Sequence, residues 1–158
     1  MKIFNEFASY EGIQDSISWL QGTVCSSYED VQGCKVGIET WWSQIARKLF
    51  VEKTAQNVCL AIDETCDFSK TWDCDTCVKD MTAFSNTMSS ESFTKDLANE
   101  FAGPYFCQSP DLALEESQIE ACQNYVIDFL PKALKAIFYV PAEEIVKGTC
   151  SYYFDICP

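Results

Sequence analysis

Apolar residues recur at helical spacing along much of the chain, most clearly between Glu120 and Tyr139. There they occupy positions i, i+3, i+4, i+7, i+8, i+11 and i+12, which together form one broad face of a helix. These positions are Val126, Phe129, Leu130, Ala133, Leu134, Ile137 and Phe138. Pro131 lies inside the stretch and removes one backbone hydrogen bond, so we expect a bend there. The pattern predicts a long amphipathic helix.

An earlier stretch repeats this pattern with a comparable apolar stripe. Its members are Ile38, Trp41, Trp42, Ile45 and Leu49. Arg47 and Lys48 fall on the opposite, solvent-facing side of the same predicted helix. The stripe predicts a second long amphipathic helix in the first half of the chain.

Shorter helices are predicted ahead of both long ones. The apolar positions are Ile13, Trp19 and Leu20 in the first case and Phe93, Leu97 and Phe101 in the second. Gly103-Pro104 ends the latter helix, and Ser109-Pro110-Asp111 is typical of a turn. Another break is expected at Pro141, ahead of a short helix over Glu143–Cys150. Residues 151–154 are ambiguous but too few to build a sheet, so the predicted fold class is all-α.

The composition favours a folded, disulfide-bonded protein. The chain has 158 residues, of which 47% are apolar, and it contains ten cysteines and no histidine. Such a chain can bury a core, but units of about 80 residues often need disulfides as well. An even, high cysteine count is typical of an oxidising compartment, which predicts a secreted or lysosomal location.

Zinc and redox chemistry are the alternatives for these cysteines. Cys74-Asp-Thr-Cys77 has the spacing of half a zinc ribbon, but the sequence has no second CxxC and no histidine. A thioredoxin-like site would need a βαβ pattern around this motif, and none is present. We therefore predict structural disulfides, with no metal and no cofactor.

Charge and motifs narrow the classes of function. The net charge of −13 argues against nucleic-acid binding and against the basic surface of membrane-lytic peptides. Without histidine there is no ordinary catalytic triad, and no nucleophile-elbow or phosphate-binding glycine motif occurs, so no catalytic residue is predicted. Neither a signal peptide nor a transmembrane stretch is evident, and we expect a mature piece of a longer precursor.

The chain also contains an internal repeat. Cys25, Cys34, Cys59 and Cys66 precede cysteines at similar intervals in the second half, and Ser9 and Glu11 precede Ser89 and Glu91 by 80 residues. This similarity predicts a partial unit over residues 1–68 and a complete unit over residues 69–158, joined near residues 67–73. The partial unit lacks an opening CxxC. Cys59 and Cys66 could accordingly pair with each other, pair between chains, or stay reduced.

The complete unit resembles the saposin B-type domain. The resemblance rests on a CxxC near the start, a central cysteine pair, and a closing C-x6-C after a proline-led short helix. Residues 1–66 resemble the same domain without its first cysteine pair. The resemblance implies four disulfides: Cys74–Cys157, Cys77–Cys150, Cys107–Cys122 and Cys25–Cys34.

The same resemblance implies a non-enzymatic protein that binds or transfers lipid. Its expected partners are lipids or a membrane surface, a lipid hydrolase, and a second copy of the chain. The predicted lipid-lining residues are Trp41, Trp42, Ile45, Leu49, Phe129, Leu130, Leu134, Ile137 and Phe138. The simpler interpretation is that these stripes face an ordinary closed core.

Two other functions stay open at this point. One is membrane disruption, which the negative charge opposes unless acid discharges the surface. The other is a soluble structural or packaging protein that binds lipid only incidentally. For lipid binding, protonation of Glu115-Glu116 and Glu143-Glu144 is a candidate acid switch, since it would ease approach to anionic membranes. The alternative is that these pairs are merely solvated.

Overall fold

The computed structural model of the protein describes residues 9–52, 73–139 and 143–158, and these are almost entirely helical. No strand occurs within those three ranges, so the all-α prediction is confirmed. The α-helices are α1 (Tyr10–Thr23), α2 (Val31–Gly37), α3 (Ser43–Arg47), α4 (Cys74–Ser89), α5 (Glu91–Ala102), α6 (Glu116–Ile137) and α7 (Glu143–Phe154). We call residues 9–52 the first segment, and the remaining described residues the second segment.

The first segment is a helical hairpin with side-chain caps. Ser9 Oγ accepts a hydrogen bond from Gly12 N at 3.0 Å and so starts α1. Asp30 Oδ1 does the same for Gly33 N at 2.8 Å, at the start of α2. From there the chain stays helical to residue 52, because π-helical turns at Ile38–Trp42 and Lys48–Glu52 join α2 to α3 and extend it.

The long helix of the second segment matches its prediction with shifted ends. α6 begins at Glu116 rather than Glu120, where Gln118 Oε1 accepts the Glu115 backbone N–H at 2.9 Å. Pro131 lies inside α6, and the helix continues through it to Ile137.

The other predicted boundaries are largely reproduced. α5 ends at Ala102, directly before Gly103-Pro104, and the predicted turn becomes a 3₁₀ turn over Pro110–Leu112. Residues 151–154 belong to α7. The break expected at Pro141, the residues around Cys59 and Cys66, and residues 67–72 of the predicted linker lie outside the described residues.

Four disulfides connect these helices. Their pairs are the ones that the saposin resemblance implies: Cys74–Cys157, Cys77–Cys150, Cys107–Cys122 and Cys25–Cys34. The first two join α4 to α7 and to the chain end beyond it, around a small separate cluster of buried sulfurs. Such bonds indicate an oxidising, non-cytosolic environment.

One apolar core extends across both segments. α6 packs on α5, α4 and α1, and it lies at the centre of this arrangement. The buried side chains of the 31–52 helical run and those of α6 belong to the same cluster. The two segments thus share one hydrophobic interior.

Candidate functional site: the apolar seam between the two segments

All nine predicted lipid-lining residues lie in this shared core. Seven of them are buried: Trp42, Ile45, Leu49, Phe129, Leu130, Leu134 and Phe138. Trp41 and Ile137 are half-buried and pack against the same cluster. We call this apolar contact between the segments the seam. In this conformation its side chains are covered by one another, so contact with a lipid there would require the segments to separate.

The seam brings together residues that the predicted internal repeat relates. Aligning Cys34 with Cys122 gives an offset of 88 residues between the two halves. Contacts at this offset, or one residue less, occur at three levels: Gly37 with Tyr125, Trp42 with Phe129, and Phe50 with Phe138. Because these contacts run in the same order along both helices, the two long helices face each other in parallel.

In this register the seam is similar to the interface of a dimer, although both of its faces belong to one chain. In a two-fold symmetric dimer the same surface of each subunit faces its copy. Here the equivalent stripes of the two predicted repeat units do so. Trp42 and Phe129 meet edge to face with centroids 6.1 Å apart, and Phe50 and Phe138 lie 6.3 Å apart. Aromatic pairs of this kind contribute about 0.5–1.5 kcal/mol beyond the area that they bury.

One end of the seam is closed by an aromatic cluster that also makes polar contacts. Trp41 meets Phe106 edge to face at 6.3 Å. Next to them, Tyr105 Oη donates a hydrogen bond to the Lys48 carbonyl oxygen at 3.2 Å. The Lys48 ammonium also lies 5.2 Å from the Tyr105 ring centroid. Polar contacts therefore orient the side chains here, while most of the contacting surface is apolar.

A polar group lies at another edge of the seam. Lys132 Nζ donates to Asp128 Oδ1 at 2.7 Å and lies 4.0 Å from the centroid of the Tyr28 ring. The hydroxyls of Tyr28 and Tyr125 are buried, and neither forms a well-aligned hydrogen bond with the residues described. Burial, together with the nearby Asp128 carboxylate, raises the pKa of both tyrosines. Both phenols therefore stay neutral, and each carries the cost of a buried polar atom.

Asp128 itself remains ionised at mildly acidic pH. Partial burial acts to raise its pKa, but the hydrogen bond from Lys132, the nearby Tyr28 hydroxyl and the Lys132 charge outweigh burial and lower the pKa below its usual range. The link between this carboxylate and Lys132 is thus retained at mildly acidic pH.

One residue of each acidic pair proposed as a pH switch also has a local structural role. Lys147 Nζ lies 2.9 Å from Glu143 Oε1, and this hydrogen bond lowers the pKa of Glu143. The backbone of Glu115 forms the start of α6. Protonation of Glu143 consequently requires a lower pH than for an isolated glutamate.

Sequence reasoning missed this polar edge. The four-residue spacing of Asp128 and Lys132 was visible as a helical ion pair. Nothing in the sequence, however, showed that Tyr28 would come from the other segment to cover them.

The described residues hold no group of three or more cysteine or carboxylate side chains arranged for a metal ion. No helix in the described part of the chain is long and apolar enough to cross a membrane. Comparison with protein-family models, curated proteins and solved structures gave no match for this chain.

Proposed function

We propose that the protein is a non-enzymatic lipid-binding or lipid-transfer protein of an oxidising compartment, secreted or lysosomal. The observation that carries the proposal is the convergence of all nine predicted lining residues, from both segments, on one seam. The resemblance to saposin B-type domains supports it, since that family places acyl chains against amphipathic helices. Lipids or a membrane surface would be the partners, and a lipid hydrolase could receive the lipid.

The chemistry of the seam suits an exchange of protein contacts for acyl chains. Apolar burial is non-directional and contributes about 25 cal/mol per Å². A hydrocarbon chain can therefore take the place of one segment's apolar face against the face of the other segment, with little change in free energy. The seam contains few directional contacts that such an exchange would break, the Tyr105–Lys48 hydrogen bond being one.

Extraction of phospholipid from vesicles tests the proposal. The oxidised protein would be incubated with neutral and with anionic phospholipid vesicles at pH 7 and pH 5, and the vesicles would then be removed by centrifugation. We expect phospholipid in the soluble fraction in proportion to protein. No soluble phospholipid under any of these conditions would contradict the proposal.

A matched pair of variants on α6 connects extraction to the seam. Ile137 packs against the seam, whereas Ile127 is 49% exposed. Ile137→Thr should reduce extraction severalfold because it puts a hydroxyl among the lining residues. Ile127→Thr makes the same chemical change on the outer side of the helix and should leave extraction unchanged. Equal effects of the two substitutions would contradict the assignment to the seam.

The closed core also favours a second candidate, a structural or packaging protein with incidental lipid binding. Seven of the nine lining residues are already buried by other side chains of the protein. This function predicts a stable, lipid-free protein in the same extraction experiment. Membrane disruption predicts a third outcome, in which dye leaks from the vesicles and no soluble complex forms.

A further inference from the structure

An open groove crosses the junction of the two segments, apart from the nine lining residues of the seam. Its volume is about 490 Å³, and α1 with the turn after it forms one wall while α6 and Tyr139 form the other. The lining residues are Trp19, Thr23, Val24, Ser27, Lys132, Lys135, Ala136 and Tyr139. This volume falls within the range of about 300–1,000 Å³ that is typical of small-molecule sites.

The lining combines aromatic surface with positive charge. Trp19 and Tyr139 are 45% and 76% exposed, so much of their aromatic surface is accessible to a ligand. Among the described residues, the charged members of the lining are two lysines, although acidic residues outnumber basic ones by 24 to 11 in the chain. The groove therefore offers an apolar wall and a local cation on a protein that otherwise repels anions.

The two lysines differ in whether their ammonium groups are available to bind a ligand. Lys132 is held by Asp128 and the Tyr28 ring. Lys135 forms no ion pair within 4 Å among the described residues, and it acts on Glu91 only at longer range, where Lys95 is the stronger partner. The Lys135 ammonium is accordingly the group that is free to meet an anionic ligand.

We infer that this groove binds a single-chain fatty acid, with its carboxylate at Lys135 and its chain along Trp19, Val24 and Ala136. The inference rests on the proposed function, that the protein binds acyl lipids, and it adds a second site. The groove volume suits one chain and is too small for a two-chain phospholipid. Because the groove needs both segments in place, a bound fatty acid favours the closed seam by mass action.

Quenching of tryptophan fluorescence by a dibrominated stearic acid tests the site. Bromine quenches only at short range, so a chain in the groove should quench Trp19. We expect saturable quenching in the wild-type protein and loss of most of it in Trp19→Phe, and native mass spectrometry measures separately how much acid that variant binds.

Charge variants test the carboxylate contact. Lys135→Gln should raise the Kd about fivefold, as expected for one exposed charge-assisted contact. Lys79→Gln removes the same charge from an exposed site on α4, outside the groove, and should leave the Kd unchanged.

The outcomes separate this inference from the proposed function. If the acid binds but Trp19→Phe is quenched as strongly as the wild type, or Lys135→Gln binds equally well, the groove assignment is wrong and seam binding stands. If phospholipid is extracted while the fatty acid does not bind, the groove alone is excluded. If neither lipid binds, both proposals fail.

Discussion

The two segments of the molecule are built on the same plan. In each, a serine caps a short helix: Ser9 accepts from Gly12 N, and Ser90 accepts from Phe93 N. In each, a disulfide then leads into a long amphipathic helix. The Cα atoms of Cys25–Cys34 and Cys107–Cys122 are 5.6 and 5.7 Å apart, respectively.

The segments differ in the interactions that hold their helices together. The second segment has two further disulfides that join α4 to α7, and its long helix is α-helical throughout. The described first segment has one disulfide, and its long helix is interrupted by π-helical turns. Its apolar stripe is covered by the second segment. The second segment is therefore closed covalently, whereas the first depends on the seam.

The largest expected effect comes from the disulfides that distinguish the segments. Cys77–Cys150 spans 73 residues, and Cys25–Cys34 spans nine. In the loop-entropy model their loss should cost roughly 4.4 and roughly 2.6 kcal/mol of unfolding free energy. Urea denaturation of the paired Cys77→Ser/Cys150→Ser and Cys25→Ser/Cys34→Ser variants measures both losses. A larger loss from the shorter loop would contradict the assignment of covalent closure to the second segment.

A smaller effect is expected from a glycine at the seam. A Cβ at Gly37 would lie 2.3 Å from Tyr125 Cε2, and that ring is stacked on Phe129 with centroids 4.9 Å apart. Gly37→Ala should therefore cost about 1–3 kcal/mol through overpacking, despite the better helix propensity of alanine.

Gly22 provides the matched control for that substitution. It lies near the end of α1, and a Cβ there meets nothing within 4 Å. Gly22→Ala should stabilise the protein by about 0.5–1 kcal/mol. Thermal denaturation of both variants makes the comparison. Stabilisation by Gly37→Ala as well would show that the two long helices do not meet in the proposed register.

The smallest expected effect concerns the polar edge of the seam. The folded-state pKa of Asp128 lies below its ordinary value of about 3.9, so its interactions stabilise the fold above that pH. This contribution is lost as the pH falls through the lowered pKa, not between pH 7 and pH 5. Since Asp128 is 54% exposed, Asp128→Asn should cost less than about 1 kcal/mol at pH 7.

The pH dependence of stability checks this sign. The difference between wild type and Asp128→Asn should be constant from pH 7 to pH 5 and shrink below about pH 4. Asp96→Asn, at an exposed site on α5, is the control. A difference that disappears already at pH 5 would mean that burial outweighs the Lys132 interactions and raises the pKa of Asp128, and the polar edge would then open in mild acid.

Most of the fold could be predicted from the sequence because its signals are local. Helical spacing of apolar residues gave the all-α class and the long helix, and Gly103-Pro104 gave the end of α5. The start of α6 was missed because Glu115 and Gln118 form a cap that continues a polar stretch without any apolar periodicity. The disulfide pairs came only from the resemblance, since spacing alone allows many pairings.

The site was predictable only as a set of residues. Periodicity identified the nine lining residues but could not tell whether they face a lipid or each other, since both environments are apolar. The repeat predicted two similar units, and their parallel register became evident only from contacts such as Trp42 with Phe129. The groove combines Trp19 with Lys135 from distant parts of the chain, and no sequence pattern records that proximity.

Native mass spectrometry of the oxidised protein, after incubation with phospholipid vesicles and their removal, tests the central claim most directly. We expect protein ions that carry phospholipid, with the lipid released when the disulfides are reduced. A spectrum that contains only the lipid-free mass at both neutral and acidic pH would contradict it.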